Sequence, residues 1–162
     1  MMHKPVGYLS QSAAPLPHQR FAVDLCTWGA MQDAEARARL GARPTGPAPC
    51  KLPKLACAGR LDQDSSGLLV LTQDGVLARQ IVGDPELGQP TLEKEYIVQI
   101  ADGSSGRPLA CAAQQSDVAA LLSHGLHLDG APLRPCTVGW VRPGAVLRMV
   151  LTQGRKRQIR RM

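Results

Sequence analysis

Apolar and polar positions alternate over short distances along most of this chain. The clearest case is residues 94–100, Lys-Glu-Tyr-Ile-Val-Gln-Ile, where Tyr96, Val98 and Ile100 fall on one side of an extended backbone. A strand with one buried face is predicted there. The run Leu68-Leu69-Val70-Leu71 lies between polar turn residues at 63–67 and a second turn at Gln73-Asp74-Gly75, and reads as a short buried strand. Over 76–82 the period lengthens, with Leu77 and Ile81 four apart, and a helix is predicted. A second helix is expected over 117–124, with Ser116 as its N-cap and Gly125 closing it.

Asp129-Gly130, between Leu128 and Leu133, is a hairpin signal. Strands over 136–142 and 146–152 follow, separated by a Pro143-Gly144 turn. Nearer the start, Pro5, Gly7, Pro15 and Pro17 forbid a long helix, leaving an extended opening with a short strand at 21–25. Residues 31–41 favour a short helix ending at Gly41, and 42–54, rich in Pro, Gly, Ala and Lys, read as a loop, an insertion between elements. No repeat or heptad is present. The sum is an α+β chain, a mixed, mostly antiparallel sheet with flanking helices.

Composition narrows this reading. A chain of 162 residues, 44% hydrophobic, fits one ordinary domain or two small lobes sharing a core. With only two Trp, two Tyr and one Phe, that core must be built from Leu, Val and Ala. The net charge of +6 is concentrated: Arg155, Lys156, Arg157, Arg160 and Arg161 hold five positive charges near the C-terminal end, on an otherwise nearly neutral body. Such a cluster suits a polyanion, whose phosphates attract it and whose released counterions add affinity. Five Cys, an odd number without a CxxC pair, point to reduced thiols in a cytosolic-type compartment. Four His without an HExxH pattern or a Cys/His ligand set give no metal site, even though His124 and His127 can share a helix face. With no leader or long apolar span, no membrane association is expected. Both ends read as cut, the last inside a basic segment that looks like the first turns of a helix.

Three segments carry candidate chemistry. In Gly59-Arg60-Leu61-Asp62, alternation on an extended backbone puts Arg60 and Asp62 on one face and Leu61 on the other. A carboxylate anchored there, with a cation near it, is a plausible nucleophile or general base. An Asp in a turn is also an ordinary turn-former or cap, and Asp64 and Asp74 have the same claim on composition alone. A carboxylate pair of the glycoside-hydrolase kind is conceivable, but nothing selects the pair. Tyr96, inside a strand, offers either a core ring or a ring stacked on a base with a hydroxyl for proton transfer. The third segment runs from Gln153 to Met162, Gln-Gly-Arg-Lys-Arg-Gln-Ile-Arg-Arg-Met. Gly154 marks a strand-to-helix turn. In a helix, Arg157, Arg160 and Arg161 form a stripe in which one Arg pairs with a carboxylate while others hold phosphates.

These blocks, AGRLDQDSSGLLVLTQDG, KEYIV and QGRKRQIRRM, stand in the order and approximate spacing of the signature motifs of the rRNA pseudouridine synthases. The chain resembles the small-subunit and large-subunit branch that normally carries an S4 RNA-binding domain ahead of the catalytic domain, and is closest to its large-subunit members. KPVGYLSQ is similar to the first strand of that branch. Ser66 and Gln73 are mild departures. The resemblance implies the pseudouridine synthase catalytic fold over 1–162, without the S4 domain and cut short of the family's C-terminal end.

The same resemblance implies that Asp62 is the catalytic aspartate and Tyr96 the tyrosine against the target base. Arg60 would help eject and replace a flipped uridine, and Ile159 would pack beneath the site. Arg160 would pair with Asp62 as a catalytic residue, with Arg155 as the alternative. Arg155, Lys156, Arg157 and Arg161 would contact the RNA. The implied target is a uridine in structured RNA, in rRNA or a ribosomal-subunit precursor and in large-subunit rRNA above all, with small-subunit rRNA or tRNA as alternatives. The reaction isomerises it with the base flipped into the site. It consumes nothing and needs no cofactor or metal. A cytoplasmic monomer is expected, or an organellar one if a targeting segment has been removed. Two rival readings are an inactive relative serving as an RNA-binding ribosome-assembly factor, and an aspartate-based nucleoside hydrolase; the latter predicts released uracil and no basic run.

Overall fold

The computed structural model describes residues 1–11, 16–30, 46–83, 92–100 and 112–162, with the backbone alone for 112–117. Contacts divide the chain into two compact units, Met1–Pro90 and Thr91–Met162. Among the described residues the paired strands are antiparallel, and helices accompany them, so the chain is α+β as its patterning predicts. The helix expected over 31–41 lies outside the described residues, as do residues 42–45 of the expected loop.

In the first unit, β1 (Met2–Lys4) pairs with β3 (Gly67–Leu69), and β2 (Ala56–Cys57) pairs with β4 (Leu71–Thr72). The single buried strand expected across 68–71 is therefore two short strands serving different partners. Between them the Val70 carbonyl accepts from the Ala58 N–H at 2.8 Å. Nor is the run buried throughout: Leu69 is 2% exposed, whereas Leu68 is 67% exposed. Successive residues of an extended chain face opposite ways, so four apolar residues in a row do not share one environment.

The strand expected at 21–25 is instead a 3₁₀ turn, Ala22–Leu25. Phe21 makes one parallel bridge to Leu9, and among the described residues no ladder continues it. The backbone then closes on itself, with the Asp24 N–H on the Phe21 carbonyl and the Cys26 N–H on that of Val23. Residues 46–54 hold only a 3₁₀ turn, Pro49–Lys51, in keeping with a loop. Helix α1 (Gly75–Val82) forms where predicted. Asp74 caps it, accepting from the N–H groups of Val76 (2.7 Å) and Leu77 (3.2 Å).

The second unit is built on the sheet β5-β9-β8: β5 (Lys94–Gln99), β8 (Thr137–Arg142) and β9 (Val146–Leu151). Leu147, Met149 and Leu151 alternate along β9 and are almost fully buried. Tyr96, Val98 and Ile100 pack against them, as the period-two pattern requires. Burying each such side chain stabilises by about 1.5–3 kcal/mol. Helix α2 (Ala112–Ser123) begins before the expected cap at Ser116, since Ala112 to Gln115 are good helix formers and continue the turn pattern. Gly125, at φ +77°, follows its end. The Cys136 N–H donates to the Ser123 carbonyl at 2.8 Å, tying that end to the approach of β8.

The expected hairpin is present, with β6 (His127–Leu128) paired to β7 (Ala131–Pro132). Asp129 and Gly130 both have positive φ, +54° and +75°, as a two-residue turn of this hand needs. No helix among the described residues is long and apolar enough to cross a membrane.

Candidate active site

The first unit shapes the segment that carries Asp62. The chain leaves β2, passes Gly59 at φ +97°, and runs beside residues 4–10. Two sets of bonds hold it. The Ser10 hydroxyl donates to the Leu61 carbonyl and accepts from the Leu61 N–H, both at 2.9 Å. Two residues on, the Gln63 carbonyl accepts from the Gly7 N–H at 2.7 Å, while the Gln63 side-chain amide donates to the Gly7 carbonyl at 3.2 Å. Asp62 lies between these anchors, half-buried, and opens a turn closed by the Ser65 N–H on its own carbonyl at 3.1 Å. Arg60 is exposed, and Leu61 is half-buried beside Gly67.

Lys4 sits under the same loop with no exposed surface. Its ammonium donates to the carbonyls of Pro5 (2.9 Å) and Tyr8 (2.8 Å), and makes a longer contact of 3.5 Å to that of Gln63. Burial pushes its pKa below the ordinary lysine value, while the charges of Asp64 and then Asp62 pull the other way. Of the three aspartates that composition left equal, Asp74 is engaged as a helix cap, while Asp62 and Asp64 share the field of Lys4.

The second unit carries the other candidates. Tyr96 is on the inner face of β5, opposite Met149 in the ladder and packed on the core. After β9 the chain turns through Gly154 into the basic segment, whose helix α3 is short, Gln158–Arg161. Arg157 stands at its N-cap in the left-handed region, φ +53° and ψ +33°, so the expected Arg157-Arg160-Arg161 helical stripe reduces to Arg160 and Arg161. A non-glycine residue held there carries backbone strain that its surroundings must offset.

The five cations differ in their surroundings. The Arg155 guanidinium donates to the carbonyls of Leu128 (2.9 Å), Ala131 (3.2 Å) and Pro132 (3.0 Å), wrapping the β6–β7 hairpin. Arg161 forms a forked pair with Asp129 and holds that carboxyl below its ordinary pKa, chiefly through the hydrogen bond. Lys156, Arg157 and Arg160 are exposed, and Ile159 packs against the core. Gln158 is buried, and its side-chain oxygen accepts from the Arg155 N–H at 3.0 Å.

Sequence reasoning gave Ser10, Lys4 and Gln158 no role. KPVGYLSQ marks the first two only as part of a motif, because a side chain that bonds backbone leaves no trace in hydrophobic period. Among the described residues no three His, Cys, Asp or Glu gather as a metal site requires.

The sequence profile of RNA pseudouridylate synthases matches residues 1–162, a span that runs from β1 through the basic helix. The chain belongs to the RNA pseudouridylate synthase family. It is 38% identical over 128 residues to the ribosomal large subunit pseudouridine synthase E of Xanthomonas axonopodis pv. citri, a match covering 68% of this chain and 60% of that protein. It is 31% identical over 109 residues to the ribosomal small subunit pseudouridine synthase A of Pasteurella multocida, covering 67% of this chain and 41% of the relative. A crystal structure of a pseudouridylate synthase superposes with a TM-score of 0.50 and 29% identity, over 67% of this chain and 41% of that one. The chain therefore spans less than two thirds of the length of these relatives.

Proposed function

We propose that this chain isomerises a uridine to pseudouridine in ribosomal RNA, that of the large subunit in particular. The observation that carries the reading is the family match along the whole chain, with an aspartate at 62 fixed on pinned backbone inside the GRLD block. Greater identity to a large-subunit synthase than to a small-subunit one favours the large subunit as target.

In this reading the target uridine is flipped from its helix or loop. The Asp62 carboxylate acts as nucleophile as the N1–C1′ glycosidic bond breaks. The detached uracil turns, and C5 bonds to C1′ in place of N1. The C5 proton is lost and N1 takes one up, so that the product is an isomer of the substrate. Tyr96 lies against the base, and Arg60 helps eject and replace the uridine. Arg160, exposed on the basic helix, serves as the catalytic arginine of the reaction. Arg155 is the poorer candidate for that role, since its guanidinium already holds three hairpin carbonyls. Lys156, Arg157 and Arg161 meet RNA phosphates, and Ile159 supports the site from the core. The enzyme works as a monomer in the cytoplasm.

Mapping pseudouridines in total RNA with and without the gene tests this. One large-subunit position should lose its pseudouridine and regain it on complementation. Unchanged maps, with the purified protein still binding rRNA, would favour a ribosome-assembly factor instead.

A further inference from the structure

Ser10 is 4% exposed, and its hydroxyl forms both bonds to one peptide unit pair, the N–H and C=O of Leu61. That is the pattern one residue of a β-ladder offers another, supplied here by a side chain where no strand pairs. Leu61 immediately precedes Asp62. On the far side, Gln63 is tied to Gly7 by two further bonds. Ser10 is itself seated: the Cys57 thiol donates to its carbonyl at 3.1 Å, and the Gln11 side chain accepts from the Cys57 N–H at 3.3 Å.

We propose that Ser10 is a positioning residue for catalysis, its hydroxyl clamping Leu61 so that the Asp62 carboxylate is presented in one orientation. The proposal rests on the reading of Asp62 as nucleophile. Without the hydroxyl, the N–H and carbonyl of half-buried Leu61 lose their partner, and the loop gains freedom on one side of Asp62 while Gln63 still holds the other. Misplacement of a reacting group by about 1 Å can cost on the order of 100-fold in rate, which loss of this clamp can produce without touching RNA contacts.

The test compares wild type with Ser10→Ala, Ser10→Cys and Ser10→Thr in the full chain. It measures single-turnover pseudouridine formation, RNA dissociation constant and the folded fraction by circular dichroism. Ser10→Ala should lower the rate on the order of 10- to 100-fold per folded molecule, with RNA affinity changed less than about twofold. Ser10→Thr, which keeps the hydroxyl, should restore most of the rate, and Ser10→Cys, a weaker and longer donor, should fall between. If Ser10→Ala does not fold, the Cys variant carries the comparison. An active wild type matched within about twofold by folded Ser10→Ala or, failing that, by Ser10→Cys overturns the positioning role alone. A wild type that forms no pseudouridine overturns the functional reading and this proposal with it.

Discussion

Three aspartates lie between positions 62 and 74, and backbone geometry gives them different work. Asp74 accepts two N–H groups at the start of α1, a bond set that any good cap makes. Asp74→Ala should lower stability by about 1 kcal/mol, read by urea denaturation, while Asp74→Asn, which keeps an acceptor, should cost a few tenths. Turnover per folded molecule should be unchanged in both. Asp62 heads a turn whose backbone is tied on both flanks, an arrangement that restricts where its carboxylate can point. Composition left the three aspartates equal; cap bonds set Asp74 apart. The bonds of Gly7 and Ser10 fix the backbone on either side of Asp62. The clamp on Leu61 comes from a serine hydroxyl 51 residues away in sequence, which no local pattern encodes.

At the scale of elements, legibility followed how local the cause was. The β5 face, the β8–β9 pair, the Asp129-Gly130 hairpin and α1 were all readable, because period, turn chemistry and capping act within a few residues. The 21–25 segment and the 68–71 run were misread because their fate depends on which strand lies alongside, and neighbours are set by the whole unit. The reach of Arg155 was also hidden. Its motif suggests an RNA contact, yet its guanidinium holds the carbonyls of a hairpin more than twenty residues earlier. Arg155→Lys replaces a planar fork with a point charge and cannot meet all three acceptors. It should reduce unfolding free energy by about 1.5–3 kcal/mol in urea titrations. A variant as stable as wild type would show that the hairpin holds without this clamp.

For the whole molecule, the proposed RNA binding predicts a salt dependence set by the basic segment. Its charges are unequal: Arg155 is turned inward, Arg161 faces Asp129, and Lys156 is exposed. Each phosphate contact contributes about 0.7–0.9 to the slope of log affinity against log salt. Lys156→Ala should therefore reduce that slope by about one, weakening binding to all RNAs alike, whereas Arg155→Lys should leave it nearly unchanged. Equal losses for the two would mean that both meet phosphate.

The most direct measurement is pseudouridine formed in large-subunit rRNA by the purified chain and by its Asp62→Asn variant, both confirmed folded and RNA-bound. The carboxamide occupies the same space with no negative charge to attack the nucleoside, so modification should fall to background while RNA affinity persists. Pseudouridine accumulating at the wild-type rate with asparagine at position 62 would contradict the account.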